Sequence, residues 1–179
     1  MRAIVVSCFA LLLSLNTQAR EAYHWLLPDS YKQQATDSLL SINFKNPQQV
    51  LLNLSLHVDD EWRDVAAETM RDEFIDGLLA VPGVKSGRRF VLKLPAQQLG
   101  KRQIPPRDWF CQDWQGPGLS KGSKQIGRIC VFADKALRVV VSLNSPKSQA
   151  KAAAEDYQAA LSGLSLDWNA LVALRDSQP

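Results

Sequence analysis

The stretch Val50-Leu51-Leu52-Asn53-Leu54-Ser55-Leu56-His57-Val58 alternates between Val50, Leu52, Leu54, Leu56 and Val58 on one set of positions and Leu51, Asn53, Ser55 and His57 on the other. A period of two sends successive side chains to opposite faces of a pleated strand, so the segment reads as a strand with one face on a core and a mixed face opposite. Asp59 and Asp60 end it and the period changes: Trp62, Val65, Ala66, Thr69, Met70, Phe74 and Leu78 recur at steps of three and four. That spacing predicts an amphipathic helix N-capped by Asp59 or Asp60, with Glu61 and Asp64 complementing the dipole in its first turn and Val81-Pro82-Gly83 as its stop.

Working outward, Ala22–Leu27 and Ser38–Phe44 read as strands closed by the turn signals Pro28-Asp29 and Asn46-Pro47. Beyond the helix, strand patterns return in Arg89–Leu94, Trp109–Trp114, Ile126–Phe132 and Ala136–Leu143, and the short Ala133-Asp134-Lys135 connection makes the last two a hairpin. A second helix is expected with Ser145 as N-cap and Pro146 at its first position, an inner face of Ala150, Ala153, Ala154, Tyr157, Ala160, Leu161 and Leu164, and Gly163 as its stop. A short helix from Asp167 to Arg175 adds Trp168, Leu171 and Val172 to the core edge. Runs of strands followed by helices, without strict βαβ alternation, give an α+β fold with an antiparallel sheet of about six to seven strands and two long helices. No Gly-rich nucleotide loop follows any of the strands.

The chain has 179 residues, 46% apolar and 22% charged, with 9 Gly and 9 Pro, which excludes a disordered tail, a fibre and a multi-span membrane protein. Arg2, the apolar run Ala3–Leu15 and the ending Thr17-Gln18-Ala19 read as a secretory signal peptide over residues 1–19. Residues 20–179 then form a single domain with a short C-terminal helical extension and no transmembrane anchor, since the apolar run is shorter than the ~20 residues of a span. Val5-Val6-Ser7-Cys8 looks like a lipoprotein box, but a cut there would leave the apolar Phe9–Leu15 in front of the mature chain, so lipidation is rejected. The expected location is periplasmic or secreted. Loss of Cys8 with the signal leaves Cys111 and Cys130 in an oxidising compartment, where they are expected to form one disulfide worth roughly 3 kcal/mol. Cys-x-x-Cys spacing and zinc-type ligand spacing are both missing, so neither a redox pair nor a metal site is expected.

The chemistry-bearing residues are few. Ser55, His57 and Asp59 share a strand face, but neighbours along that face stand about 7 Å apart, too far for a hydrogen-bonded triad. Asp108 and Asp113 flank an aromatic strand and would suit a glycosidase only if their carboxyls converged. Trp109 and Trp114 have opposite parity, so one is expected in the core and the other is a candidate anchor for a partner. No catalytic residue and no cofactor is assigned, and the chain is not expected to be an enzyme.

Charge is uneven beneath a formal total of +3, an excess too small for a nucleic-acid binder. From Asp59 to Asp76 eight acids face two bases, and from Lys85 to Arg128 ten bases face two acids. The segment Gln97–Asp108 carries Lys101, Arg102 and Arg107 around Pro105-Pro106 and reads as a stiff, exposed, basic connection. Lys101, Arg102, Arg107, Trp109 and Trp114 are therefore the candidate partner-binding residues.

The order of elements, with Leu27-Pro28-Asp29-Ser30-Tyr31, Phe44-Lys45-Asn46-Pro47 and Tyr157-Gln158-Ala159-Ala160-Leu161-Ser162-Gly163-Leu164, resembles the PsbP fold group over residues 22–166. That group includes the photosystem II extrinsic subunit, an import factor that binds the GTPase Ran, and bacterial DcrB-like periplasmic proteins. The resemblance implies an αβα sandwich and a binding or assembly role, and it transfers no catalytic residue; the cysteine pair and the C-terminal extension depart from the group. The expected function is a periplasmic, non-catalytic binding or assembly factor of the cell envelope with a protein partner. The alternative is an immunity or inhibitor protein that neutralises a periplasmic toxin or lysin.

Overall fold

The computed structural model describes residues 22–35, 40–118, 120 and 122–176, so the expected signal peptide lies outside the described residues, as do Ser38 and Leu39 at the start of the second expected strand. Seven strands form one sheet: β2 (Lys32–Gln34), β3 (Ser41–Lys45), β4 (Leu51–Val58), β5 (Lys85–Leu94), β8 (Arg107–Pro117), β9 (Lys124–Asp134) and β10 (Leu137–Pro146). Their order across the sheet is β2-β3-β4-β10-β9-β8-β5, every pair antiparallel. Two short ribbons complete the strands: β1 (Tyr23–Trp25) with β11 (Leu164–Leu166), and β6 (Gln97–Leu99) with β7 (Arg102–Ile104). The helices are α1 (Ala67–Leu79), α2 (Ala150–Ser162) and α3 (Trp168–Asp176).

The alternation in β4 decides the layering. Leu52, Leu54, Leu56 and Val58 join Val139, Val141 and Leu143 of β10, Cys130 of β9, and Trp109 and Cys111 of β8 in the larger core. That core is capped by Ala153, Tyr157, Ala160 and Leu161 of α2, Leu171 of α3 and Leu164 of β11. The fully buried Tyr157 donates its hydroxyl to the Val141 carbonyl (2.6 Å), which ties α2 to the central strand. On the opposite face Ala67, Met70 and Ile75 of α1 pack on Ile129 and Val131 of β9 and Val140 of β10, a smaller core. The result is an α+β sandwich with a seven-stranded antiparallel sheet between helical layers, as expected.

Several local expectations are revised. The strand at Ala22–Leu27 is not part of the main sheet; β1 pairs with β11 and packs beside α2, where Trp25 Nε1 donates to the Ala160 carbonyl (2.8 Å). The first helix does not start at Asp59: Asp59 caps a 3-10 turn over Asp60–Trp62, and α1 begins only at Ala67, after an extended Ala66. Arg138, 3% exposed, causes the delay by donating from its guanidinium to the carbonyls of Arg63 (3.1 Å) and Val65 (2.6 Å). With these carbonyls committed to a side chain, the segment is held out of the helical ladder. Consequently the buried positions of α1 are Ala67, Met70, Arg71 and Ile75, and Thr69 and Phe74 of the expected stripe are exposed.

Ser145 is not an N-cap; it lies in β10 and its hydroxyl donates to the Pro146 carbonyl (3.0 Å), while α2 follows a 3-10 turn over Lys147–Gln149. Gly163 does end α2, at φ −82 and not in a left-handed conformation. A Cβ there would stand 2.8 Å from the Leu26 carbonyl oxygen, so close packing of the chain just after β1 selects the glycine. The stiff basic connection after β5 is instead a hairpin, β6–β7, turned at Gly100 (φ +60), with Ile104 buried.

Candidate functional site

The structure separates the residues singled out from sequence. Cys111 and Cys130 oppose one another in the β8–β9 register, bonded, with Cα atoms 4.1 Å apart. Trp109 is fully buried and tilts against Phe132 at 5.6 Å, so it is a core residue and not a partner anchor. Arg107 is 6% exposed; its Nη1 donates to the Leu164 carbonyl (2.6 Å) and its guanidinium lies over the Phe132 ring at 5.2 Å, with burial lowering its pKa. It clips β11 to β8 and does not share a surface with Lys101, which is exposed at the β6–β7 turn. Arg102 stands in β7, and its side chain lies outside the described residues.

Trp114 is half-buried on the α1 side, its indole so close over Gly127 of β9 that a Cβ there would clash with the ring. Asp108 shares a face with Phe110 and Trp114, whereas Asp113 shares the other with Cys111 and pairs with Arg128 (2.6 Å). The two carboxyls therefore occupy opposite faces of the sheet, and the acid-pair geometry is not formed. His57 sits edge-on to Trp62 (5.5 Å) and near Phe74 (6.2 Å), its Nε2 buried without a hydrogen-bond partner among the described residues and its pKa lowered by burial.

What the fold does bring together is the polar set of strand positions that α1 leaves uncovered. α1 packs on β9, β8, β5 and Val140 of β10, and Trp62 and Phe74 lie against His57 of β4, so the same face of β2, β3, the Leu51 end of β4 and the Asn144 end of β10 remains open beside it. A trough of about 560 Å³ lies there, lined by Gln34, Asn43, Lys45, Gln49, Leu51, Lys124, Gln125 and Asn144 among others. Leu51 and Asn144 also line an adjoining hollow of about 340 Å³ that runs to Phe74 and Leu78 of α1 and to Trp114. Beneath both, Asn53 of the hollow donates to Asn43 Oδ1 of the trough (3.0 Å) and to Ser41 (3.2 Å) and accepts from Ser55 (2.9 Å), a network that holds Asn43 in place. Side-chain amides offer donors and acceptors together, Lys45 and Lys124 add positive charge, and none of the lining residues is a carboxylate. The sequence signal was the mixed face of β4; the amides of β3 and β10 went unread because only the pairing of Asn43 with Asn53, and of β10 with β4, gathers them.

No family model matches the chain, and no curated protein matches it by sequence. Solved structures do match. The solution structure of cyanobacterial PsbP (CyanoP) from Synechocystis superposes with TM-score 0.51 at 8% identity, covering 83% of this chain and 88% of that one. The fold is PsbP-like. The same PsbP-like arrangement is seen in the Ran-binding protein Mog1p of Saccharomyces cerevisiae, with TM-score 0.53, 10% identity, and 81% and 90% of the two chains covered. A protein of Bacteroides thetaiotaomicron matches with TM-score 0.51 and 13% identity over 81% of this chain, which spans 45% of that protein's length. At these identities the likeness is one of fold.

Proposed function

We propose that the protein is a non-catalytic binding factor of the cell envelope, exported to the periplasm by residues 1–19, that holds a polar partner or ligand in the amide-lined trough. The observation that carries the reading is the trough itself: an amide-rich, carboxylate-free lining, with Asn43 held by Asn53, on a sheet face left open beside α1. A fold shared with a Ran-binding protein and with a PsbP supports a binding role. No helix among the described residues is long and apolar enough to cross a membrane, and the disulfide accords with an oxidising compartment.

The test is site-specific photo-crosslinking in the exported protein. A photoreactive residue at Gln49 or Gln125, on the trough, should give a discrete adduct, and one at Lys151 of α2 should give none. Adducts at Lys151 alone, or at no position, would sink the reading. Edman sequencing of the exported protein should begin at Arg20.

A further inference from the structure

The sheet ends on β5, a ten-residue strand paired on one side only, with β8. The direction of its free backbone groups follows from the disulfide. Cys111 and Cys130 stand at the close Cα separation of a non-hydrogen-bonded antiparallel pair, 4.1 Å, so the N–H and C=O of Cys111 point away from β9 and toward Phe90 of β5. Phe90, Leu92 and Leu94 therefore bond to β8, while Arg89, Val91 and Lys93 direct their backbone groups to the open edge. Among the described residues no other strand pairs with that edge and no backbone hydrogen bond outside the β5–β8 ladder reaches Arg89, Val91 or Lys93, and all three are exposed, Val91 by 44%.

The side chains along the edge select what could add there. Arg89 reaches Asp72 of α1 (3.2 Å) yet keeps more than half of its side chain exposed, and Lys93, Arg88 and Lys85 form no ion pair among the described residues. A second copy pairing antiparallel about Val91 would set Arg89 against Lys93, like charges in direct opposition, which is how basic edge strands avoid self-pairing. An acidic strand meets no such penalty. Its residues opposite Arg89 and Lys93 would be acids, the residue opposite Val91 apolar, and the intervening residues would lie beside the half-buried Phe90 and Leu92.

We propose that β5 is a docking edge for an extended acidic segment of a partner protein, with the pattern acid-apolar-apolar-apolar-acid, which the sheet takes up as an eighth strand. This surface is distinct from the trough and stands whether or not the trough binds.

The probe is a blocked peptide centred on Glu-Leu-Val-Leu-Glu, titrated by fluorescence anisotropy against the exported, oxidised protein. It should bind, and its counterpart with both Glu replaced by Lys should not. Val91→Pro removes an outward N–H that β8 does not use, so the fold should survive by circular dichroism while affinity falls at least about tenfold, the loss of one hydrogen bond plus edge distortion. The double variant Arg89→Glu/Lys93→Glu should exchange the preference to the Lys peptide. If Val91→Pro does not fold, methylating the peptide's central valine nitrogen tests the same ladder and should weaken binding comparably. Equal binding of the two peptides, no binding of the Glu peptide, indifference to the lost N–H, or a dimer formed through β5 in ultracentrifugation would each overturn the proposal.

Discussion

His57 shows how one side chain of a mixed strand face is committed by its neighbours. In sequence it shares a strand face with Ser55 and Asn53; in the fold its ring is packed between Trp62 and Phe74 and its Nε2 is cut off from water. Burial holds its folded pKa below the unfolded value of 6.5, so just below that pH the unfolded chain takes up a proton that the native state refuses. Its contribution is intact above pH 6.5 and is lost as the pH falls below it. The urea midpoint should drop between pH 7 and pH 5, and His57→Phe should flatten that slope; an equal slope in the variant would show that another group carries it. Arg138 is the other residue that sequence could not place. Set among the valines of β10, it is buried because four backbone carbonyls, those of Arg63, Val65, Lys135 and Leu137, receive its guanidinium.

Among the elements, β4 and β10 were legible because their periods are strong, whereas the start of α1 was not, because a side chain 73 residues away along the chain sets it. The β8–β9 hairpin lies between. Two cysteines left in a chain that is expected to be exported imply a bridge, but only the register shows that they oppose each other directly, near the middle of both strands. The bridge closes a loop of sequence separation 19, and in an oxidised sample it should add roughly 3 kcal/mol by limiting the unfolded chain. Urea unfolding with and without reductant measures this, and identical midpoints would contradict it. Trp114 over Gly127 in the same hairpin is a pairing that no single-strand pattern reveals, since it depends on which residues the register sets opposite.

Over the whole molecule, the C-terminal segment belongs to the main core. Asp167 caps α3 by accepting from the Ala170 amide (3.0 Å), and Leu171 is fully buried beside the helix–sheet contact with β4. Leu171→Ala should therefore cost about 3 kcal/mol, within the range of buried leucine truncations, measured by denaturant unfolding; a cost under ~0.5 kcal/mol would mean the extension is peripheral. At the same scale the two charge poles meet: Asp72 of the acidic helix reaches Arg89 of the basic strand, while inside the basic segment Asp113 takes up Arg128. By itself the sequence determined the α+β class, the strong strands and the cysteine pair, because hydrophobic period and residue chemistry are local. Tertiary structure alone decided which polar residues share a face, which bases are buried, and which strand ends the sheet, because those depend on strand order and register between segments far apart in the chain.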